Sequence, residues 1–302
     1  MTSPAPVSYP LGAPTVVNTS LTVDIALNTP AVITRRIADL TAQRFIVDRV
    51  FTGSGVSVAA GAVIYEQMQR NALFMSRNTE QRGPGDEYPT LAGTRGPALV
   101  AVAEDWGGKF FVTDEARSRN DSRFLDQQVT QLSNTLVRRV NQRAVETIEA
   151  AVTPAGSIDF VTGNNWSAFQ VSGSTPTPNR QQPIGDFAKV QALADADELG
   201  VTFDLWLVHP TQWEALTIGY GSDLPDTLKA AGIEVFASNR IAVGVAYAVA
   251  RGQVGFLDYE RQLTTETWRE QATRKTWIQS YVMPVMGITN PYAIRKIVGL
   301  GV

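Results

Sequence analysis

"RNTEQRGPGDEYPT", residues 77–90, is the stretch on which the reading of this chain turns. It holds one aromatic residue (Tyr88), two prolines, two glycines and five charged residues, and it has no apolar stripe to bury. Its flanks differ in character. "GVSVAAGAVIYEQMQ" (55–69) and "GPALVAVAEDW" (96–106) both read as extended segments. Unstructured loops beyond about 12–15 residues are uncommon in compact domains and usually have a job. A polar hairpin that projects from its own domain gains stability only when a neighbour supplies the missing surface. Chains that tile a surface are built in this way, through contacts between unlike patches.

The rest of the chain forms a core. With 302 residues, 44% of them hydrophobic and 18% charged, the composition is globular, and the length suggests about two domains. A net charge of −3 argues against a protein whose main work is wrapping nucleic acid. The absence of cysteine removes disulfides, thiolate catalysis and cysteine-ligated zinc, and it fits a reducing compartment. A single histidine leaves little room for a histidine-based metal site or a Ser-His relay. No apolar run reaches the roughly 18–20 residues of a membrane span. The first basic residue is Arg35, so the start lacks the charged opening of a signal peptide. The triplets at Asn18 and Asn165 are therefore read as chance matches to a glycosylation site.

Working outward, Pro4, Pro6, Pro10 and Pro14 favour an extended N-terminal arm. In "NTPAVITRRIADLTAQRFIVDRVF" (28–51), Thr29 can cap a helix and Pro30 suits its first position. Ile33, Ile37, Leu40, Arg44 and Val47 share one face, with Arg35, Arg36 and Arg49 off it. The clearest helix spans 122–152. Leu125, Val129, Leu132, Leu136, Val140, Val145, Ile148 and Val152 form one long stripe, Asp121 or Ser122 can cap it, and Pro154 stops it. At 1.5 Å per residue this is a strut of about 45 Å. "PAGSIDFVTGNNWSAFQVSGSTPTPNRQQP" (154–183) marks a boundary. An α/β alternation follows: a helix over 186–199 closed by Gly200, a buried strand "FDLWLV", a short helix "PTQWEAL", and strands "GIEVFAS" and "AYAVARGQVGFL". "LTTETWRE" and "TWIQSYVMPVMGI" then alternate as strands.

Chemistry is harder to find. His209, at the end of a strand, could be a base, but no Ser or Cys motif accompanies it, and a structural role is the better reading. No G-x-S-x-G elbow exists. "GGK" at 107–109 lacks the Ser or Thr and the earlier glycine of a phosphate loop. "GSGVSVAAGA" (53–62) lacks dinucleotide spacing and reads as a hinge or turn. Asp195, Asp197 and Glu198 could hold a cation, but a solvated face explains them more simply. The arginines of the early helix could touch phosphates nonspecifically, against the plainer reading of a solvated face. Together these readings favour a structural or interaction protein over an enzyme such as a small-molecule hydrolase.

The order of pieces resembles a known family. "PGDEYP" (84–89) with "EDWGGKFFVTDEARSRND" (104–121), "LVHPTQWEALTIGYG" (207–221) with "GIEVFAS" (232–238), and "GQVGFLDYERQLTTETWRE" (252–270), "RKTWIQSYVMPVMGITNP" (274–291) and "AIRKIVG" (293–299) are similar to the major capsid protein of tailed bacteriophages, particularly those of actinobacteria. The resemblance implies an α+β fold of the Hong Kong 97 type. It would have an N-terminal arm with the early helix (1–52), an extended β-hairpin loop (53–98), a peripheral domain (99–182 and 251–302) with its spine helix (122–152), and an axial domain (183–250). It implies a noncatalytic subunit that self-assembles through hexamers and pentamers into the icosahedral shell, or virion capsid, around double-stranded phage DNA, after assembly in the host cytoplasm. An encapsulin-like cellular compartment is the neighbouring reading.

On this reading the extended loop lies across an adjacent copy, with Arg77, Glu80, Arg82, Asp86, Glu87 and Tyr88 at the interface. Arg35, Arg36, Arg44 and Arg49 would face the DNA, in nonspecific contact. No cofactor, metal or membrane is expected. The partners are further copies of the chain, a portal, a separate scaffolding protein and a decoration protein. The scaffolding is expected to be separate because only some 50 residues precede the loop and Met1 stands first. Relatives that weld their subunits use a loop lysine. None lies between Gly53 and Arg95, so cohesion is expected to be noncovalent.

Overall fold

The computed structural model describes residues 23–41, 46–55, 58, 61–69, 74–152, 160–198 and 200–301. The proline-rich arm and Arg44 lie outside them. In chain order the elements are α1 (Val23–Asn28), α2 (Pro30–Thr41), α3 (Val47–Val50), β1 (Ala62–Glu66), β2 (Ala98–Val102), β3 (Trp106–Thr113), α4 (Asp114–Ser118) and α5 (Ser122–Val152). They continue with β4 (Val161–Thr162), α6 (Pro183–Ala196), β5 (Leu205–Val208), α7 (Pro210–Tyr220), α8 (Leu224–Ala231), β6 (Glu234–Ala237), β7 (Val245–Val249), β8 (Gly255–Glu270), β9 (Lys275–Ile288) and β10 (Ile294–Val298). This mixture of helix and sheet matches the α+β expectation.

The chain divides into two compact units, and α5, β8 and β9 contribute residues to both. In the first (1–44, 105–137, 261–282), three strands are ordered β3-β9-β8, with β3 antiparallel to β9 from Trp106↔Val282 to Thr113↔Lys275. Alternation on β3 sends Phe110 and Val112 to one face. There they join Val23, Leu27, Ile33, Ile37, Leu125, Val129, Leu136 and Ile278 in one core. The close pass of β3 over β9 requires glycine: a Cβ on Gly107 would lie 2.6 Å from that of Tyr281. The "GGK" stretch is therefore strand, not loop. Asn120 links two helices. It takes φ 51°, and its Oδ1 accepts from Val23 N at 2.9 Å, while Asp121 Oδ1 caps α5 through Phe124 N at 3.2 Å.

The second unit (45–104, 138–260, 283–302) holds a five-stranded sheet ordered β4-β10-β7-β5-β6, and the two-stranded ribbon β1-β2. β5 and β6 are parallel, so the chain between them must cross over, and α7 and α8 make that crossover. "LWLV" is buried at all four positions, as expected of a central strand covered on both faces. Trp166, Phe187 and Trp206 pack with centroids 4.5–6.2 Å apart. Beside them the buried Asp186 accepts from Trp166 Nε1 (2.7 Å), Asn164 N (2.9 Å) and Asn164 Nδ2 (2.8 Å), which pins the loop after β4 to α6. Burial pushes the Asp186 carboxyl above its usual range, and these hydrogen bonds oppose the shift.

Several boundaries differ from the sequence reading. α6 starts at Pro183 rather than residue 186, because Pro183 takes the first helical turn, where its missing N–H costs nothing. α7 runs on to Tyr220, and α8 was not anticipated. "AYAVARGQVGFL" is two strands. Gly252 turns the chain at φ 73°, and Arg251 N is held by Asp204 Oδ1 at 2.9 Å.

Candidate assembly surface

The ribbon that carries the polar stretch is short. β1 and β2 pair over five residues each, from Ala62↔Val102 to Glu66↔Ala98. Alternation divides them into two faces. Val63 and Ala101 point inward to Phe256 and Val285, and Tyr65 meets Phe256 edge-on at 5.3 Å. The opposite face is also apolar yet uncovered: Ile64 is 75% exposed, its partner Val100 60% and Val102 63%. "AVIYE" and "ALVAV" are apolar on both faces, which is the pattern of strands covered from both sides. The same two-sided pattern is present in the sequence of both strands.

Beyond the ribbon, residues 74–97 form no strand. Pro84, Pro89 and Pro97 cannot donate to a ladder. One tie crosses the tract, with Ser76 N donating to Ala92 O at 2.9 Å and Ala92 N to Ser76 Oγ at 3.2 Å. At the tip, Asp86 N donates to Gly83 O (3.2 Å) across a turn in which Gly85 takes φ 97°, a region that favours glycine. All six candidate interface residues, Arg77, Glu80, Arg82, Asp86, Glu87 and Tyr88, are exposed here. Arg77 and Glu80 approach to 4.0 Å, and Arg82 lies over the Tyr88 ring at 5.2 Å. Such exposed pairs contribute about 0–1 kcal/mol.

Beside the ribbon lies a groove of about 620 Å³ between β2, the last turns of α5 and β9. Its charged groups are Glu104 and Arg143, and they bind each other. Arg143 Nε reaches both carboxylate oxygens (2.7 and 2.9 Å), and Nη2 reaches Oε1 at 2.6 Å.

The first unit carries another exposed patch, on the sheet face turned from its core. Trp268 stacks on Trp277 at 6.3 Å, Phe111 meets Trp277 edge-on at 5.3 Å, and Lys109 and Lys275 lie over the rings of Trp277 and Phe111. The hydrogen bond from Trp277 Nε1 holds the Glu270 carboxyl below its usual range.

Of the arginines expected at the inner surface, the three among the described residues are already engaged. Arg36 pairs with Asp126 at 2.7 Å and Arg35 with Asp39 at 3.9 Å. Arg49 pairs with Glu234 and lies over Phe236 at 4.5 Å, while Arg251 is the larger influence holding the Glu234 carboxyl low. His209 has a structural post as the cap of α7, its Nδ1 accepting from Thr211 N at 3.2 Å. Asp195 accepts from Gln191 Nε2 at 2.8 Å and Asp197 pairs with Arg295. Among the described residues no group of three or more acidic or histidine side chains converges as a metal site. None of their helices is long and apolar enough to cross a membrane.

No curated protein matches the chain. Among solved structures it is similar to the virus-like particle from Pyrococcus furiosus, with TM-score 0.61 and 12% identity over 88% of this chain and 98% of that one. It is also similar to the capsid of cyanophage P-SCSP1u (0.61, 13%, 85% and 89%) and to the mature capsid of bacteriophage PhiM1 (0.55, 10%, 82% and 84%). At such identities the likeness speaks for the fold, the capsid fold expected from the sequence. The phage capsid protein family matches residues 96–297. With two thirds of its length inside that match and its fold shared with these capsids, the chain belongs to the phage capsid protein family and is a structural protein of a capsid shell.

Proposed function

We propose that this protein is the major subunit of an icosahedral shell built from hexamers and pentamers around double-stranded phage DNA, with residues 53–98 laid across an adjacent copy. The observation that carries this reading is the β1-β2 ribbon. It presents Ile64, Val100 and Val102 to solvent and leads into residues 74–97, which form no strand and are mostly exposed. Apolar patches of this kind on a folded chain mark interaction sites.

Within this proposal α5 is the spine, residues 183–250 are the axial domain at the capsomer centre, and 99–182 with 251–302 are the peripheral domain. Shell formation draws on a separate scaffolding protein, a portal and a decoration protein, and the inner surface meets DNA nonspecifically. No step of catalysis is assigned to the chain. The test is expression followed by sedimentation and electron microscopy. Rings or closed shells support the proposal, and small oligomers under every condition refute it.

A cellular compartment that encloses other proteins is a second reading. It has in its favour the likeness to the Pyrococcus furiosus particle over 98% of that chain. Nuclease-protected DNA in native particles supports the phage reading, and enclosed protein without DNA supports the second.

A further inference from the structure

The solvent face of α5 has a composition unlike the rest of this acidic chain. Between Ser122 and Arg138 the exposed polar residues are Arg123, Gln127, Gln131, Asn134, Thr135 and Arg138. They recur every three or four residues and so form one stripe along the helix. Phe124, 37% exposed, is the one large apolar side chain exposed in that stretch. No carboxylate stands on the stripe. The single acidic residue between Ser122 and Arg138, Asp126, is held by Arg36 of α2 at 2.7 Å. Among the described residues neither Arg123 nor Arg138 has a carboxylate partner, whereas Arg35, Arg36 and Arg49 each have one.

This stripe is poorly suited to a protein partner, because the centre of a protein interface is apolar and aromatic. It suits a phosphate backbone. Arginine, glutamine, asparagine and threonine side chains are usual donors to phosphate oxygens, and such contacts carry no sequence information. Arg123 and Arg138 stand about 22 Å apart along the helix, or about six phosphate steps of one DNA strand. The amides between them can donate hydrogen bonds without adding charge. A contact of this kind is weak in each copy and loosened by salt. That suits a container whose DNA must enter and leave, and it fits a chain whose net charge is −3.

We propose that the stripe of α5 from Arg123 to Arg138 is the face on which enclosed double-stranded DNA rests. The proposal rests on the shell reading and deepens it, moving the DNA contact from Arg35, Arg36 and Arg49 to this helix. Arg123 and Arg138 hold phosphates, and Gln127 and Gln131 bridge the backbone between them.

The test titrates a short, fluorescently labelled DNA duplex of arbitrary sequence with unassembled full-length subunits while salt is raised. Each phosphate contact contributes about 0.9 to the slope of log affinity against log salt concentration. Arg123→Gln with Arg138→Gln is expected to flatten the slope by about 1.8, and Gln127→Lys with Gln131→Lys to steepen it by about as much. Arg269→Gln with Arg274→Gln is the control. It removes the same charge from two side chains that already pair with Asp114, and should move the slope by less than about 0.5. All the substituted positions on α5 are exposed, and unfolding curves check that each variant is folded. A parent chain that binds no DNA at low salt overturns the proposal. So does a slope that neither α5 variant moves, which would leave this face to a protein, and so does a control that flattens it equally. Electron microscopy of the parent separates the two claims. A chain that forms no rings or shells overturns the shell reading and this proposal with it, whereas shells built from a chain whose slope ignores the α5 variants overturn this proposal alone.

Discussion

Replacing Ile64, Val100 and Val102 together by Thr tests whether the outward face of the ribbon is covered in the assembled state. Threonine keeps the β-branched shape of the strand but places a hydroxyl on the face. In the isolated chain these side chains are 75%, 60% and 63% exposed, so little of their burial contributes to folding. Fully burying such a side chain contributes about 1.5–3 kcal/mol, so about 1–2 kcal/mol per residue remains to be gained on assembly. Allowing for imperfect coverage, the three together contribute about 3 kcal/mol per copy, or about a hundredfold in an association constant. Folding stability of the isolated subunit, by contrast, should move by less than about 1.5 kcal/mol in total. The assay measures light scattering against protein concentration, with denaturant unfolding of the unassembled subunit as the control. The expected result is an onset of assembly raised about a hundredfold with the unfolding curve nearly unchanged. An onset within threefold of the parent, in protein that is folded, would show that this face stays open in the shell and refute the reasoning.

Other consequences follow from the same geometry. Asp186→Ala leaves the buried donor Trp166 Nε1 and the part-buried donor Asn164 N without their acceptor, and should cost about 2–5 kcal/mol in denaturant unfolding; a cost under 1 kcal/mol would deny the pinning role. Because burial raises the Asp186 carboxyl, the folded state holds that proton more tightly than the unfolded chain does. The stability of the parent relative to Asp186→Asn should therefore fall as pH rises from about 4 and level off above the raised value; a relative gain over that window contradicts it. Trypsin should cut free subunits first after Arg77, Arg82 or Arg95, all exposed, and cut assembled particles at least tenfold more slowly there. Equal rates would mean that the tract stays uncovered. Particles boiled in detergent should run as a single monomer band, since the loop has no lysine to weld, and a covalent ladder would disprove noncovalent cohesion.

Much of the architecture was legible because it is periodic. The stripe from Leu125 to Val152 gave the long helix its limits, and all but half-buried Leu132 of that stripe are buried. "LWLV" could be read as a covered strand because it is apolar without alternation. Short elements escaped because their signals are few. α8 has only eight residues, with Pro225 in its first turn and Gly232 in the left-handed conformation closing it. The candidate surface was legible in part. The polar tract stood out by length and composition, whereas the apolar outer face of its base did not, because a strand with two apolar faces looks like ordinary core. The groove depends on α5, β2 and β9 meeting across more than a hundred residues of sequence, and no local pattern announces that.

The central claim is that the tract leading from β1 to β2 finds its partner on another copy of the chain. A cryo-electron microscopy map of assembled particles tests it most directly, by tracing residues 74–97. The account predicts density for that tract lying on an adjacent subunit, with Ile64, Val100 and Val102 covered. Density folding the tract back onto its own subunit, or particles in which those three side chains still face solvent, would contradict it.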